Sequence, residues 1–186
     1  MRILAILGLA ICVAACNPYM AAVSVVTQGY GVATDERSVT TQARDTEIEA
    51  EIKAALIESP TPGMGNLSVI SRQGVVLLAG VVPPGSPVGL QAVAIARSTS
   101  GVKRVETFFV SSRPSVANDI ELEAQIKEAW VADPNLESRQ VDVDVYAGHV
   151  VLAGVVSSPE QAQEFVNDAS AVPGVLSVQS YIQLPQ

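Results

Sequence analysis

GVVLLAGVV occupies residues 74–82 and GHVVLAGVV residues 148–156, identical at seven of nine positions and separated by a constant 74 residues. Each run lies between glycines and is too apolar for a strand with one wet face. It fits the middle strand of a small sheet that is covered on both surfaces. A turn at Gln73-Gly74 or Ala147-Gly148 leads into the run, and Gly80 or Gly154 ends its regular part. One supersecondary unit is therefore present twice.

Working outward, the flanks repeat as well. Ile48, Ile52, Ala55 and Leu56 fall at i, i+4, i+7 and i+8, and Leu122, Ile126, Ala129 and Trp130 do the same 74 residues later, which predicts two amphipathic helices. Thr46 with Glu49 reads as a capping box, and Asn118 with Glu121 reads as the matching start. Pro60 and Pro134 lie just beyond the two helix ends. Residues 67–71 and 141–145 then alternate apolar and polar, as strands with one buried and one wet face would.

After the repeated run, Ser86-Pro87 and Ser158-Pro159 each place an N-cap type residue before a proline. A second helix follows in each copy, offset now by 73, and stops at Gly101-Val102 or Gly174-Val175, where glycine suits a left-handed C-cap. Final strands cover residues 105–110 and 178–184. The order per copy is helix, strand, strand, helix, strand. The tight turn makes the first two strands antiparallel, and the crossover helix brings the third parallel to the second. The expected class is α+β: two tandem α-β-β-α-β modules, residues 45–112 and 117–186, each a three-stranded mixed sheet packed on two helices.

The start of the chain reads differently. Arg2 gives a positive beginning, residues 3–11 are apolar, and Val13-Ala14-Ala15-Cys16 places small residues before a cysteine. Counted to Ala15 the run has thirteen residues, whereas a spanning helix needs roughly twenty. Residues 1–15 are read as a signal peptide, and the four residues ending at Cys16 resemble the lipobox of bacterial lipoproteins, whose cysteine carries acyl chains of the palmitate kind. Cys12 would be removed with the signal, which leaves Cys16 without a disulfide partner in the chain. Acyl methylenes contribute roughly 0.8 kcal/mol each on burial, so several chains would hold the protein on a membrane. Residues 16–44 are read as the lipidated N-terminus and a tether, its second half polar enough to be solvated but also able to pack along the first module. Asn17 is not the aspartate associated with inner-membrane retention, so the expected place is the periplasmic face of the outer membrane.

Composition excludes several functions. The 186 residues carry a formal net charge of -8, with no cluster of Lys and Arg to follow a phosphate backbone, so nucleic acid is not a partner. One histidine, no nucleophile with a base at a credible spacing and no phosphate-cradling glycine loop followed by lysine argue against an enzyme, and no cofactor is implied. Asp142 and Asp144 share a strand face with His149 nearby. Two carboxylates and a distant imidazole are too few for a hard cation, which leaves a solvated face and no metal site.

The pattern of Gly74, Leu78, Gly80, Val82, Ala92, Ala96, Gly101, Val102 and Val105, matched by Gly148, Leu152, Gly154, Val156, Ala162, Ala169, Gly174, Val175 and Val178, resembles the BON domain of bacterial envelope proteins. A lipobox ahead of two such modules is similar to the dual BON-domain lipoproteins of the outer membrane. The resemblance implies a non-enzymatic protein that binds phospholipid and supports envelope integrity, with links to division sites, and it implicates the first helix of the second module in touching lipid. Here that helix carries Glu121, Glu123 and Glu128 against Lys127. From Asp119 onward eleven acids face only Lys127 and Arg139, so this module is repelled by anionic headgroups. Insertion of apolar tips such as Trp130, Val131 and Leu136, or bridging by divalent cations, remains open. Trp130 has two readings, an interfacial anchor or a core residue in the place Leu56 fills in the first copy. If the helix faces a bilayer, a lysine at Glu121 strengthens binding to anionic lipid. The alternative function is a protein adaptor, its acidic second module engaging a basic envelope partner such as a cell-wall hydrolase regulator.

Overall fold

The computed structural model describes residues 36–186, which belong to one compact unit. Along the chain lie α1 (Val39–Glu58), a 3-10 turn (Met64–Asn66), β1 (Ser68–Arg72), β2 (Val75–Val81), α2 (Val88–Ser98) and β3 (Arg104–Val110). The second copy follows with α3 (Val116–Ala132), β4 (Val141–Tyr146), β5 (His149–Val155), α4 (Pro159–Ala171) and β6 (Ser177–Gln183). The strand orders are β1-β2-β3 and β4-β5-β6, with the repeated apolar runs in the middle. β1 and β4 pair antiparallel to the central strands, and β3 and β6 pair parallel to them. Two three-stranded mixed sheets, each with two helices on one face, are thus the α+β architecture expected.

Local chemistry explains the hairpins. Gln73 and Gly74 have φ of 55° and 79°, and Ala147 and Gly148 have 55° and 77°. Two consecutive left-handed residues give the turn whose twist matches the flanking strands. A non-glycine residue in that region needs support, and each module supplies it with a buried aspartate from its first helix. Asp45 accepts hydrogen bonds from the Gln73 and Gly74 amides at 2.8 and 2.9 Å, and Asp119 accepts from those of Ala147 and Gly148, both at 2.9 Å. Each carboxylate also receives an arginine, Arg37 at 2.6 Å and Arg113 at 2.7 Å. Burial pushes both carboxyls up, but the arginine and amide donors outweigh it and hold both below the usual aspartate range. At the other end of the central strand, a Cβ on Gly154 would sit 2.3 Å from the Gln140 carbonyl oxygen, so only glycine fits.

Helix starts differ from the expectation. α1 begins at Val39 behind Ser38, whose hydroxyl accepts from the Thr41 amide at 3.2 Å, and α3 begins at Val116 behind Ser115, capped in the same way by the Asn118 amide. Thr46 is inside α1 and donates its hydroxyl back to the Gln42 carbonyl at 2.9 Å. Neither Thr46 nor Asn118 starts a helix, because a serine one or two turns upstream satisfies the orphan amides first. Residues 39–44 accordingly belong to α1 and not to the tether. Ser158 caps α4 with Pro159 in its first turn as expected, whereas α2 starts behind Pro87.

What covers the second face of each central strand is the other module. Val76 and Leu78 point into a core with Ile52, Leu56, Ala92 and Ala96. Val150 and Leu152 do the same with Ile126, Trp130, Phe165 and Ala169. The alternate residues Leu77, Ala79, Val151 and Ala153 form a third cluster with Tyr146, against which Phe108, Val110 and Tyr181 pack. The two sheets therefore lie face to face with helices outside. The Tyr181 hydroxyl donates to the Thr107 carbonyl at 3.1 Å, the Gln183 amide to the Arg72 carbonyl at 3.2 Å, and Arg72 pairs with Asp142. The polar face of β4 is thus an inter-module contact, not the solvated face that its alternation suggested. Burial raises Asp144 on that face, and neighbouring Glu123 and Asp142 add to the rise.

Candidate membrane-docking surface

The residues singled out on the second module do not converge on one patch. Trp130 is 0% exposed. Its Nε1 donates to the Phe165 carbonyl at 3.2 Å and its ring meets Phe165 edge-on at 4.9 Å. Fully enclosed, it fills the place that buried Leu56 fills in the first module, so the anchor reading gives way to the core reading. Leu136 is partly buried against the same core. Val131, by contrast, is 73% exposed. Glu121 is also exposed and accepts a hydrogen bond from Gln125 at 3.3 Å. Cys16 and the signal segment lie outside the described residues.

The 3.6-residue period explains why neighbours point oppositely. Leu122, Ile126 and Trp130 face the core, which turns Val116, Ala117, Ile120, Ala124 and Val131 outward. Val116 and Ile120 are 51% and 58% exposed. Together these side chains form an apolar stripe along the solvent side of α3; placing the helix start at Asn118 leaves Val116 outside it, and Ile120, inside the helix, is overlooked among the acids that surround it. The signal was available in the repeat itself. At the 74-residue offset α1 has Gln42 and Thr46 where α3 has Val116 and Ile120. The two alanines recur as Ala43 and Ala50 and the distal apolar position as Ile57, so the copies differ on this face at Val116 and Ile120.

Charge both interrupts and borders this stripe. Lys127, the sole cation of α3, stands within it, seven residues after Ile120 and four before Val131, and pairs with Glu123 one turn earlier at 2.5 Å. Along one border stand Glu121 and Glu128, both exposed, seven residues and so about 10 Å apart along the axis. Glu128 has no ion-pair partner among the described residues. Among those residues no group of His, Cys, Asp and Glu is arranged to hold a metal ion, and no helix is long and apolar enough to cross a membrane.

Comparison with known proteins places this geometry in a family. Residues 44–110 and 118–186 each match the profile of the BON domain. The chain is 32% identical over 142 residues to osmotically-inducible protein Y of Escherichia coli K12, covering 73% of this chain and 70% of that protein. It is 29% identical over 124 residues to an uncharacterized protein in the gshII 5' region of Anaplasma centrale, covering 64% of this chain and 82% of the other. Among solved structures, CdsD, a structural protein of the type III secretion system of Chlamydia trachomatis, aligns at a TM-score of 0.31 and 15% identity. That alignment covers 76% of this chain and 64% of the other, less than two thirds of it. With two profile matches spanning nearly all the described residues, the chain belongs to the BON-domain family and carries the domain twice.

Proposed function

We propose that the protein is a non-enzymatic component of the bacterial envelope that docks on a phospholipid surface through the outward face of α3 and supports envelope integrity, including at division sites. In this reading acylated Cys16 tethers it to the periplasmic face of the outer membrane, and the folded pair of modules works beside that anchor. The observation that carries the proposal is the exposed stripe of Val116, Ile120 and Val131 in a helix whose counterpart in the first module is polar at two of the three places. Apolar side chains held out in water on one copy of a duplicated helix are suited to entering the headgroup boundary of a bilayer. Kinship with an osmotically inducible protein fits the same reading, since osmotic stress loads the envelope.

A second reading draws on the acidity of the second module, eleven acids against two bases from Asp119 onward. It suits a basic envelope protein, such as a cell-wall hydrolase regulator, with the lipid serving only to localise the adaptor. Cosedimentation of unlipidated residues 34–186 with liposomes separates the two. The docking reading expects binding that falls when Ile120 and Val131 become serine. Absence of binding to neutral and anionic vesicles alike supports the adaptor.

A further inference from the structure

The charge bordering the α3 stripe selects among lipids. We propose that the surface it recognises is zwitterionic and rich in primary ammonium headgroups, with Glu121 and Glu128 accepting hydrogen bonds from ethanolamine ammonium groups while Val116, Ile120 and Val131 enter the boundary between headgroups and acyl chains. This deepens the docking reading and rests on it.

Three features argue for this occupant. The apolar face alone fits any bilayer, but its single cation, Lys127, is paired with Glu123 at 2.5 Å, so the two together offer no net positive charge to an anionic headgroup. The exposed charges that remain beside the stripe are two carboxylates on one line of the helix, and Glu128 has no ion-pair partner among the described residues. Beyond α3 the whole module is acidic, so an anionic surface repels it at long range as well as at contact. An ammonium group bearing three N–H donors supplies charge-assisted hydrogen bonds to such carboxylates, whereas a quaternary choline bears none. Ethanolamine is therefore favoured over choline, and choline over an anionic headgroup.

The test uses residues 34–186 and vesicles of three compositions at low salt: phosphatidylcholine alone, phosphatidylcholine with phosphatidylethanolamine, and phosphatidylcholine with phosphatidylglycerol. Affinity should be highest with ethanolamine and lowest with glycerol headgroups. The double variant Glu121→Gln/Glu128→Gln should lose the ethanolamine preference while binding pure phosphatidylcholine as before, which separates headgroup pairing from looser packing in ethanolamine bilayers. Glu121→Lys changes the local charge by two, so at a surface potential of about -30 mV it should bind the anionic vesicles about tenfold more tightly. Preference for the anionic vesicles, equal binding to all three, or an ethanolamine preference that survives the double variant would overturn the headgroup assignment and leave docking intact. Absence of binding to every vesicle would overturn docking itself.

Discussion

Replacing Asp119 by alanine removes the acceptor that closes the second hairpin. The Ala147 and Gly148 amides, each 2.9 Å from the carboxylate, would lose their partner in a site where Asp119 is 2% exposed. Each buried amide left unpaired costs about 1–3 kcal/mol. Arg113 would lose its 2.7 Å contact but keep its bond to the Val145 carbonyl at 3.0 Å and its place over the Tyr146 ring. Its side chain is 25% exposed, so water recovers part of that loss. The sum is a destabilisation of about 3–5 kcal/mol. With a urea slope of about 2 kcal/mol per M, the midpoint at pH 7 should fall by about 1.5–2.5 M at unchanged slope. Asp119→Asn keeps one acceptor oxygen and should lose about half as much. An alanine variant within about 1 kcal/mol of the parent would refute the reasoning, because two buried amides would then have found other acceptors at no cost.

Two further outcomes follow from the same structure. Trp130→Ala should destabilise by about 3–5 kcal/mol, and Trp130→Leu, which installs the residue found at Leu56, by less; the folded leucine variant should bind vesicles like the parent, whereas loss of binding at full stability would return Trp130 to the surface. For pH, the lowered carboxyls of Asp45 and Asp119 contribute stability above the ordinary aspartate value, and that contribution is lost as pH falls through their native values. Raised Asp144 acts oppositely, since the folded state binds its proton more readily than the unfolded chain does. Stability measured by urea titration should therefore rise as pH is lowered from 7 through the Asp144 transition and fall once pH drops below the ordinary aspartate value of 3.8. Asp144→Asn should be more stable than the parent at pH 7 and show a smaller rise, the remainder coming from Asp168, which burial and neighbouring Asp133 also raise.

The module order and the covered central strands were legible because apolar residues in β2 and β5 occupy both faces of the period, which only a middle strand between two layers tolerates. What covers the second face was not legible. Asp142 and Asp144 make β4 look half-solvated, and nothing local says that Arg72 stands opposite. Asp45 and Asp119 were hidden for a similar reason: an aspartate one turn before a helical apolar stripe reads as a surface acid. Its recurrence at the same offset, ahead of the same kind of turn, was the available signal. At the surface, placing the helix start at Asn118 removed Val116 from view and left Glu121, Glu123 and Glu128 to represent a face on which Ile120 and Val131 are more exposed than Leu122 or Trp130. Trp130 illustrates the converse, since an indole is as ready to fill a core as to anchor at an interface, and only packing on Phe165 decides.

The central claim is that α3 of the second module touches lipid. Equilibrium binding of residues 34–186 to zwitterionic vesicles, compared between the parent and Ile120→Ser/Val131→Ser, tests it most directly. Saturable binding by the parent, weakened about tenfold or more in a variant of unchanged fold, is the expected result. Equal binding by both proteins, or by neither, would contradict it.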